Sequence, residues 1–348
     1  MELLKKLTST AGVPGREGRV RDLIREEVEG HFDEIRVDNM GSLICVRRPR
    51  PKDPATAAAN PTKVMLAAHM DQIGFLVRFI DSNGMIRVNA VGGFDTRNLF
   101  ARRVTVCTGS GDLPGVMNPA GKPIHVSTPE ERKKIPEMHE FFIDLGMAAD
   151  DVKEKVRIGD MVILDEPPIE VGETMVAQAL DNRIGCWAGV RSIQQLEHHD
   201  CEIYCVFTVQ EEVGLRGAGP ATFGIQPDIG IALDTTLACD TPGVTDEFHL
   251  NKMGDGVAIK VMDGSMISDI DVVRDIEAAA KAEEIPHQIS MLHRGGTDSG
   301  AMQRTAYGTR VATIACPVRY IHTVTEMSNK KDIESMRDII TAWLARVK

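Results

Sequence analysis

The chain has 348 residues with 40 basic and 51 acidic side chains, a formal net charge of −11. That balance argues against nucleic acid or an anionic membrane as partner, since both reward a basic surface, and the length suggests two domains. Hydrophobic residues at 43% are ordinary for a globular protein, while aromatics at 4% leave the core to aliphatics, Met and Ala.

Helices are expected over 2–9 and 16–30, where Val20, Leu23, Ile24 and Val28 form one stripe. Residues 1–8 lack the apolar run of a secretory signal. No window approaches the roughly 18 apolar residues of a membrane span, so a cytoplasmic protein is expected. Strands follow over 34–38 and 42–47, then a proline- and alanine-rich exposed loop over 48–62, then a buried strand over 63–69. From 73 to 167 the texture changes. Short alternating segments (75–80, 85–89, 102–108, 162–164) punctuated by Gly, Asn and Asp predict a small β-rich unit, with a mobile loop over 119–138 and a helix over 150–157. Strands at 174–179, 202–209, 229–233, 256–262, 287–291 and 309–315 then alternate with helices at 182–197, 216–223, 269–284, 297–305 and 330–347. This alternation predicts an α/β sheet with helices on both faces. The seven cysteines show no zinc-finger or redox spacing. Cys201 and Cys205 face one side of a strand as core filling, and reduced thiols fit the cytoplasm.

Metal-competent residues stand at five strand ends: His69 with Asp71, Asp181, the Glu211–Glu212 pair, Asp234 and His322. Singly, each has an ordinary explanation, such as Asp181 or Asp234 as a helix N-cap. Together, ligands in open α/β sheets gather outside the carboxyl ends of the strands, which would bring all five to one edge of one sheet. Clustered carboxylates repel unless cations neutralise them. Two divalent ions would balance three ligating carboxylates and a bridging hydroxide. Imidazole and carboxylate ligands suit zinc, cobalt or manganese. Asp71, two residues beyond His69, can fix the imidazole tautomer. Glu211 and Glu212 diverge in extended chain, so one can bind metal while the other addresses the water.

The runs Ala68-His69-Met70-Asp71-Gln72-Ile73-Gly74, Ala179-Leu180-Asp181-Asn182-Arg183, Gln210-Glu211-Glu212-Val213-Gly214, Gly295-Gly296-Thr297-Asp298 and Arg319-Tyr320-Ile321-His322-Thr323 resemble the tetrahedral (TET) aminopeptidases. These are glutamyl- and leucyl-aminopeptidase-like dinuclear metallopeptidases, and the resemblance covers essentially the whole chain. It implies a zinc-peptidase-like α/β/α sandwich, a central mixed sheet flanked by helices. Residues 1–72 and 168–348 would form this catalytic domain, and 73–167 an inserted PDZ-like dimerisation domain. His69 and Asp234 would hold one metal, Glu212 and His322 the other, with Asp181 bridging. Glu211 would be the general base and Asp71 the partner of His69. The resemblance also implies a strained or cis peptide after Asp181, peptide substrates, and a homo-oligomer of dimers closing into a dodecamer. Gln72 stands where the family often has Glu, and the 48–62 loop is longer than usual.

Gly296, Thr297 and Asp298 either shape the pocket for the first residue or simply turn a strand into a helix. Arg319 and His293 either offer positive charge to an acidic side chain or pair with the acidic background. The expected activity is a metal-dependent aminopeptidase. A small-molecule amidohydrolase or deacylase on the same centre is the alternative. A glycosidase is weaker because the histidines have no part in two-carboxylate chemistry. A non-catalytic scaffold is weaker still with every ligand present. The Gly214–Gly219 stretch does not match a dinucleotide fingerprint.

Overall fold

A computed structural model describes residues 1–53, 55 and 58–348. Helices α1 (Glu2–Ser9) and α2 (Gly18–Val28) precede strands β1 (Glu34–Val37), β2 (Leu43–Arg47) and β3 (Lys63–His69). Then come β4 (Gly74–Ile80), β5 (Ile86–Val91), β6 (Arg102–Thr108), β7 (Gly111–Pro119), α3 (Pro129–Lys133), β8 (Phe141–Asp144), α4 (Ala149–Lys155) and β9 (Met161–Leu164). The chain continues through β10 (Ile169–Val171), β11 (Thr174–Ala177), α5 (Leu180–Gln195), β12 (Glu202–Thr208), α6 (Ala218–Ile225), β13 (Ile229–Leu237) and β14 (Val257–Met262). It finishes with α7 (Ile270–Ala282), β15 (His287–Met291), α8 (Asp298–Arg304), β16 (Arg310–Val318), β17 (Glu326–Asn329) and α9 (Lys330–Leu344).

Among the described residues the strands form an eight-stranded mixed sheet in the order β1-β2-β12-β3-β13-β16-β14-β15, a three-stranded sheet β10-β11-β17, and a closed barrel β4-β5-β8-β7-β6-β9. Alternation along the strands divides the large sheet's core in two. Cys45, Leu66, Cys205 and Phe207 pack with α1, α2, α5, α7 and α9 on one face. Val46, Met65, Ala67 and Val206 pack with α6 and α8 on the other. Helices therefore cover both faces, as the alternation predicts. Cys201 and Cys205 lie in the first of these cores. Each fully buried Leu, Ile or Phe contributes about 1.5–3 kcal/mol. Helix α5 is pressed onto β13 through Gly185, where a Cβ would stand 2.4 Å from the Leu233 carbonyl oxygen.

The barrel has its own core, built from residues such as Phe75, Ile86, Val106, Met117 and Phe141. A small cluster of Ala11, Val13, Cys107, Met161 and Ile163 and the Arg19–Asp112 ion pair at 2.7 Å join it to the α1–α2 segment. Four strands escape the sequence pattern: β7, β8, β10 and β17. Strand β7 contains Pro114 and Gly115, both poor strand formers. The expected loop over 119–138 carries α3, nucleated by a capping box between Thr128 and Glu131 with Pro129 at the first helical position. In the expected 48–62 loop Arg50 bridges to His199, while residues 54, 56 and 57 lie outside the described residues.

Candidate metal centre

Parallel strands β12, β3, β13 and β16 run side by side in the middle of the large sheet. His69 closes β3 in register with Thr208 of β12, and Asp234 lies in β13 opposite Ala315 of β16. Glu211 and Glu212 follow β12, and His322 follows β16. The expectation of five ends on one sheet needs one correction. Asp181 follows β11, which belongs to the three-stranded sheet, and enters the site at the head of α5. Left-handed residues mark the turns, among them Ala179 (φ 60), Gln210 (φ 57), Tyr320 (φ 60) and His322 itself (φ 64). Non-glycine residues hold such conformations where the surroundings over-determine them. The Asp181–Asn182 peptide is cis.

These turns bring the side chains together. His69 Nε2 lies 3.3 Å from Asp181 Oδ1 and 3.7 Å from Asp234 Oδ1. His322 Nε2 lies 3.5 Å from Asp181 Oδ2 and 3.4 Å from Glu212 Oε2. Two groups result, His69–Asp181–Asp234 and Asp181–Glu212–His322, and within each the ligand atoms lie within 4.8 Å of one another. Asp181 belongs to both and turns one oxygen to each. Glu211 belongs to neither, with Oε2 3.9 Å from His69 Nε2.

The electrostatics are those of buried acid in excess. Burial raises the pKa of Glu211 far above the usual carboxylate range, as do neighbouring Asp234, Glu212 and Asp298, with His69 opposing. Burial likewise raises Glu212 and Asp234. Burial also works against charge on His322, yet Asp181 and Glu212 outweigh it and push the imidazole up to about 11. His69 is driven upward in the same way against its burial, by Glu211, Asp181, Asp234 and Asp71. Asp181 moves the other way: burial raises it, but two imidazoles hold it well below the ordinary range. Among the described residues, buried Asp181 Oδ1 and Glu212 Oε1 have no hydrogen-bond partner. Imidazoles and carboxylates with idle lone pairs fit divalent zinc, cobalt or manganese.

The supporting residues differ in part from expectation. His69 Nδ1 is 3.1 Å from the backbone carbonyl of Asp71 and 3.6 Å from its carboxylate. The Asp71 carboxylate also accepts the backbone N–H groups of Glu211 at 3.1 Å and Glu212 at 3.0 Å, holding that turn. Gly296 lines the cleft beside the metal-competent residues, whose volume is about 580 Å³. Thr297 and Asp298 are buried, Thr297 donating to Asp263 and Asp298 accepting from Thr208. Burial pushes Asp298 up to about 7. Gln72 accepts from the buried Arg183 guanidinium at 3.1 Å. Arg319 is engaged by Asp240 at 2.6 Å.

Sequence reasoning passed over Glu17, Lys260 and Glu326, all buried near the site. A lone Lys within the apolar strand Val257–Met262 is a readable signal. Glu17 accepts the Gln210 N–H at 3.1 Å, a contact that no sequence pattern announces.

The M42 glutamyl aminopeptidase family matches residues 54–339. A relative from Acetivibrio thermocellus is 39% identical over 337 residues, 96% of this chain and 95% of its own. The lysyl aminopeptidase of Pyrococcus furiosus is 31% identical over 352 residues, 100% of this chain and 97% of its own. An aminopeptidase from the archaeon Desulfurococcus kamchatkensis superposes with a TM-score of 0.92 at 34% identity, over 99% of this chain and 94% of that chain. The TET1 peptidase of Pyrococcus horikoshii, which can assemble into a tetrahedron or a large octahedral shell, gives 0.86 at 29% identity over 99% of both chains. With this match on a sheet-edge cluster of imidazoles and acids, the chain belongs to the M42 glutamyl aminopeptidase family.

Proposed function

We propose that this chain is a metal-dependent aminopeptidase acting through two divalent cations. His69, Asp181 and Asp234 would hold one and Asp181, Glu212 and His322 the other. The observation that carries this reading is the shared carboxylate, with one Asp181 oxygen facing each imidazole. Divalent cations held there would supply Lewis acidity, lowering the pKa of the attacking water and polarising the scissile carbonyl.

The chain's own residues do the rest. Glu211 faces the same space without belonging to either ligand group, and takes the proton of the attacking water. It then hands that proton to the leaving amine. Asp71 fixes the Glu211–Glu212 backbone so that the base does not drift. The free α-amine of a peptide fits a cleft walled by acids, which favours cleavage at the N-terminus. Lys260, whose Nζ donates to the Thr235 carbonyl at 3.5 Å, and Arg294 also line the cleft. They support acceptance of an acidic first side chain.

The shell formed by the Pyrococcus horikoshii peptidase supports a homo-oligomer here, built from dimers joined through the barrel and closing as a dodecamer. The seven free cysteines, six of them buried, support a reducing compartment such as the cytoplasm. No helix among the described residues is long and apolar enough to cross a membrane.

The test is reconstitution. Chelated protein is titrated with zinc, cobalt or manganese and assayed on aminoacyl chromophores, N-acyl amino acids and β-glucan. Activity should return at two ions per chain and on free-amine substrates only. Cleavage of N-acyl substrates alone would favour the deacylase, and chelator-insensitive glucan cleavage the glycosidase.

A further inference from the structure

One buried carboxylate touches both the turn that carries the shared Asp181 and the turn that carries His322. Glu326 opens β17 and is 2% exposed. Its Oε2 accepts the backbone N–H of Asp181 at 2.9 Å, and its Oε1 accepts that of His322 at 2.8 Å. Strand pairing puts it there. Glu326 stands in register with Ala177 of β11, just ahead of Asp181, and its neighbour Met327 bridges back to Arg319, just ahead of His322.

Both turns need holding. Ala179 and His322 adopt φ 60 and φ 64, conformations that residues with side chains keep only when their surroundings fix them. A neutral acceptor could satisfy two backbone N–H groups. Glu326 instead adds another buried acid beside Asp181. Burying such a charge is costly unless something positive offsets it. Cations held by the two tethered ligands would do so.

We propose that Glu326 is a positioning residue of the metal centre, a single clamp that fixes the shared carboxylate and the second imidazole through their backbones. This rests on the two-cation reading of the site. The clamp is lopsided. It tethers two of the three residues in the Asp181–Glu212–His322 group but only Asp181 in the His69–Asp181–Asp234 group. Its loss should therefore weaken the His322-side ion more than its neighbour.

The experiment titrates metal-free wild type, Glu326→Gln and Glu326→Asp with cobalt(II), read by calorimetry and visible absorbance. His322→Ala identifies the absorbance band of the His322-side ion. Glu326→Gln presents an amide NH2 to one of the two N–H groups. It should bind that ion about 10–100-fold more weakly, the usual loss when an outer partner of a ligand is removed. The other ion should change only a few-fold. Turnover at limiting cobalt should fall with that ion's occupancy, while KM stays near the wild-type value. Glu326→Asp keeps the charge but reaches only one N–H, so it should show the same lopsided loss, and it decides the matter if the Gln variant does not fold. Wild-type affinities in both variants overturn the proposal. So does equal weakening of both ions together with a lower melting temperature of the metal-free protein, which marks a purely structural role. A wild type that binds fewer than two ions overturns the two-cation reading itself, and the clamp with it.

Discussion

Glu211 and Glu212 are adjacent in sequence yet end in different chemical positions, one beside His69 and the other against His322. Glu211→Gln should keep both ions, by metal analysis, and lose about 10²–10⁴-fold in turnover, the range of a general base. Asp181→Ala should lose both ions together, since it faces both imidazoles; two fully occupied sites in that variant would remove the bridging role. These side chains are legible in the sequence because each stands where an apolar run meets a turn. Glu17 and Glu326 are not, because they act through backbone N–H groups of remote residues, and nothing in a sequence says which N–H a carboxylate will find. His199 supplies a pH test away from the centre. Its Nδ1 sits 2.8 Å from the Cys201 carbonyl, and its buried Nε2 has no partner among the described residues. Burial, with help from Arg47 and Arg50, pulls it down to about 4. The folded value lies below the unfolded one of about 6.5, so the contribution is complete above that pH and is lost as pH falls toward 4. Discounted for partial solvent screening, it amounts to about 2 kcal/mol. Urea unfolding near pH 7 and near pH 4.5 should show wild type losing more stability than His199→Phe.

Among elements, α5 ties packing to chemistry. A Cβ on Gly185 would meet the Leu233 carbonyl and the Asn182 side chain at 2.4 and 2.5 Å, and backbone cannot yield as a flexible side chain does. Gly185→Ala should cost about 1–3 kcal/mol by overpacking. Leu233 immediately precedes Asp234, so the same variant should also bind metal less tightly; urea unfolding and metal titration check the two effects. The α/β alternation was readable because α7 and α9 are amphipathic and the inner strands are short, nearly continuous buried runs between turns. Strand β17 was not, because its inward residues Glu326 and Ser328 are polar and are buried for their hydrogen bonds. The left-handed turn at Gln210 was equally hidden, because glycine is the usual flag for that conformation and here a glutamine adopts it.

At the scale of the whole molecule, the acids around Asp181 are a liability without cations. Metal that binds only the folded state should raise unfolding stability by about 2.7 kcal/mol per site at a hundred times its dissociation constant. The melting temperature should climb with added zinc and fall with chelator, and a melting temperature indifferent to both would contradict the site. The barrel is spliced between β3, which carries His69, and β11, which leads to Asp181, so its presence and its β-rich texture were plain from composition. Its closure was not, since β7 and β8 carry little pattern of their own.

The order in which the ligands occur along the chain has one more consequence. His69 comes early and His322 late, and the strands that align them, β12, β13 and β16, lie between. A ribosome extends the polypeptide from its amino end, so on the two-cation reading a nascent chain that has not yet reached His322 would lack one of the proposed ligands. A peptidase wired in this way would gain its activity only when nearly all of it has been made.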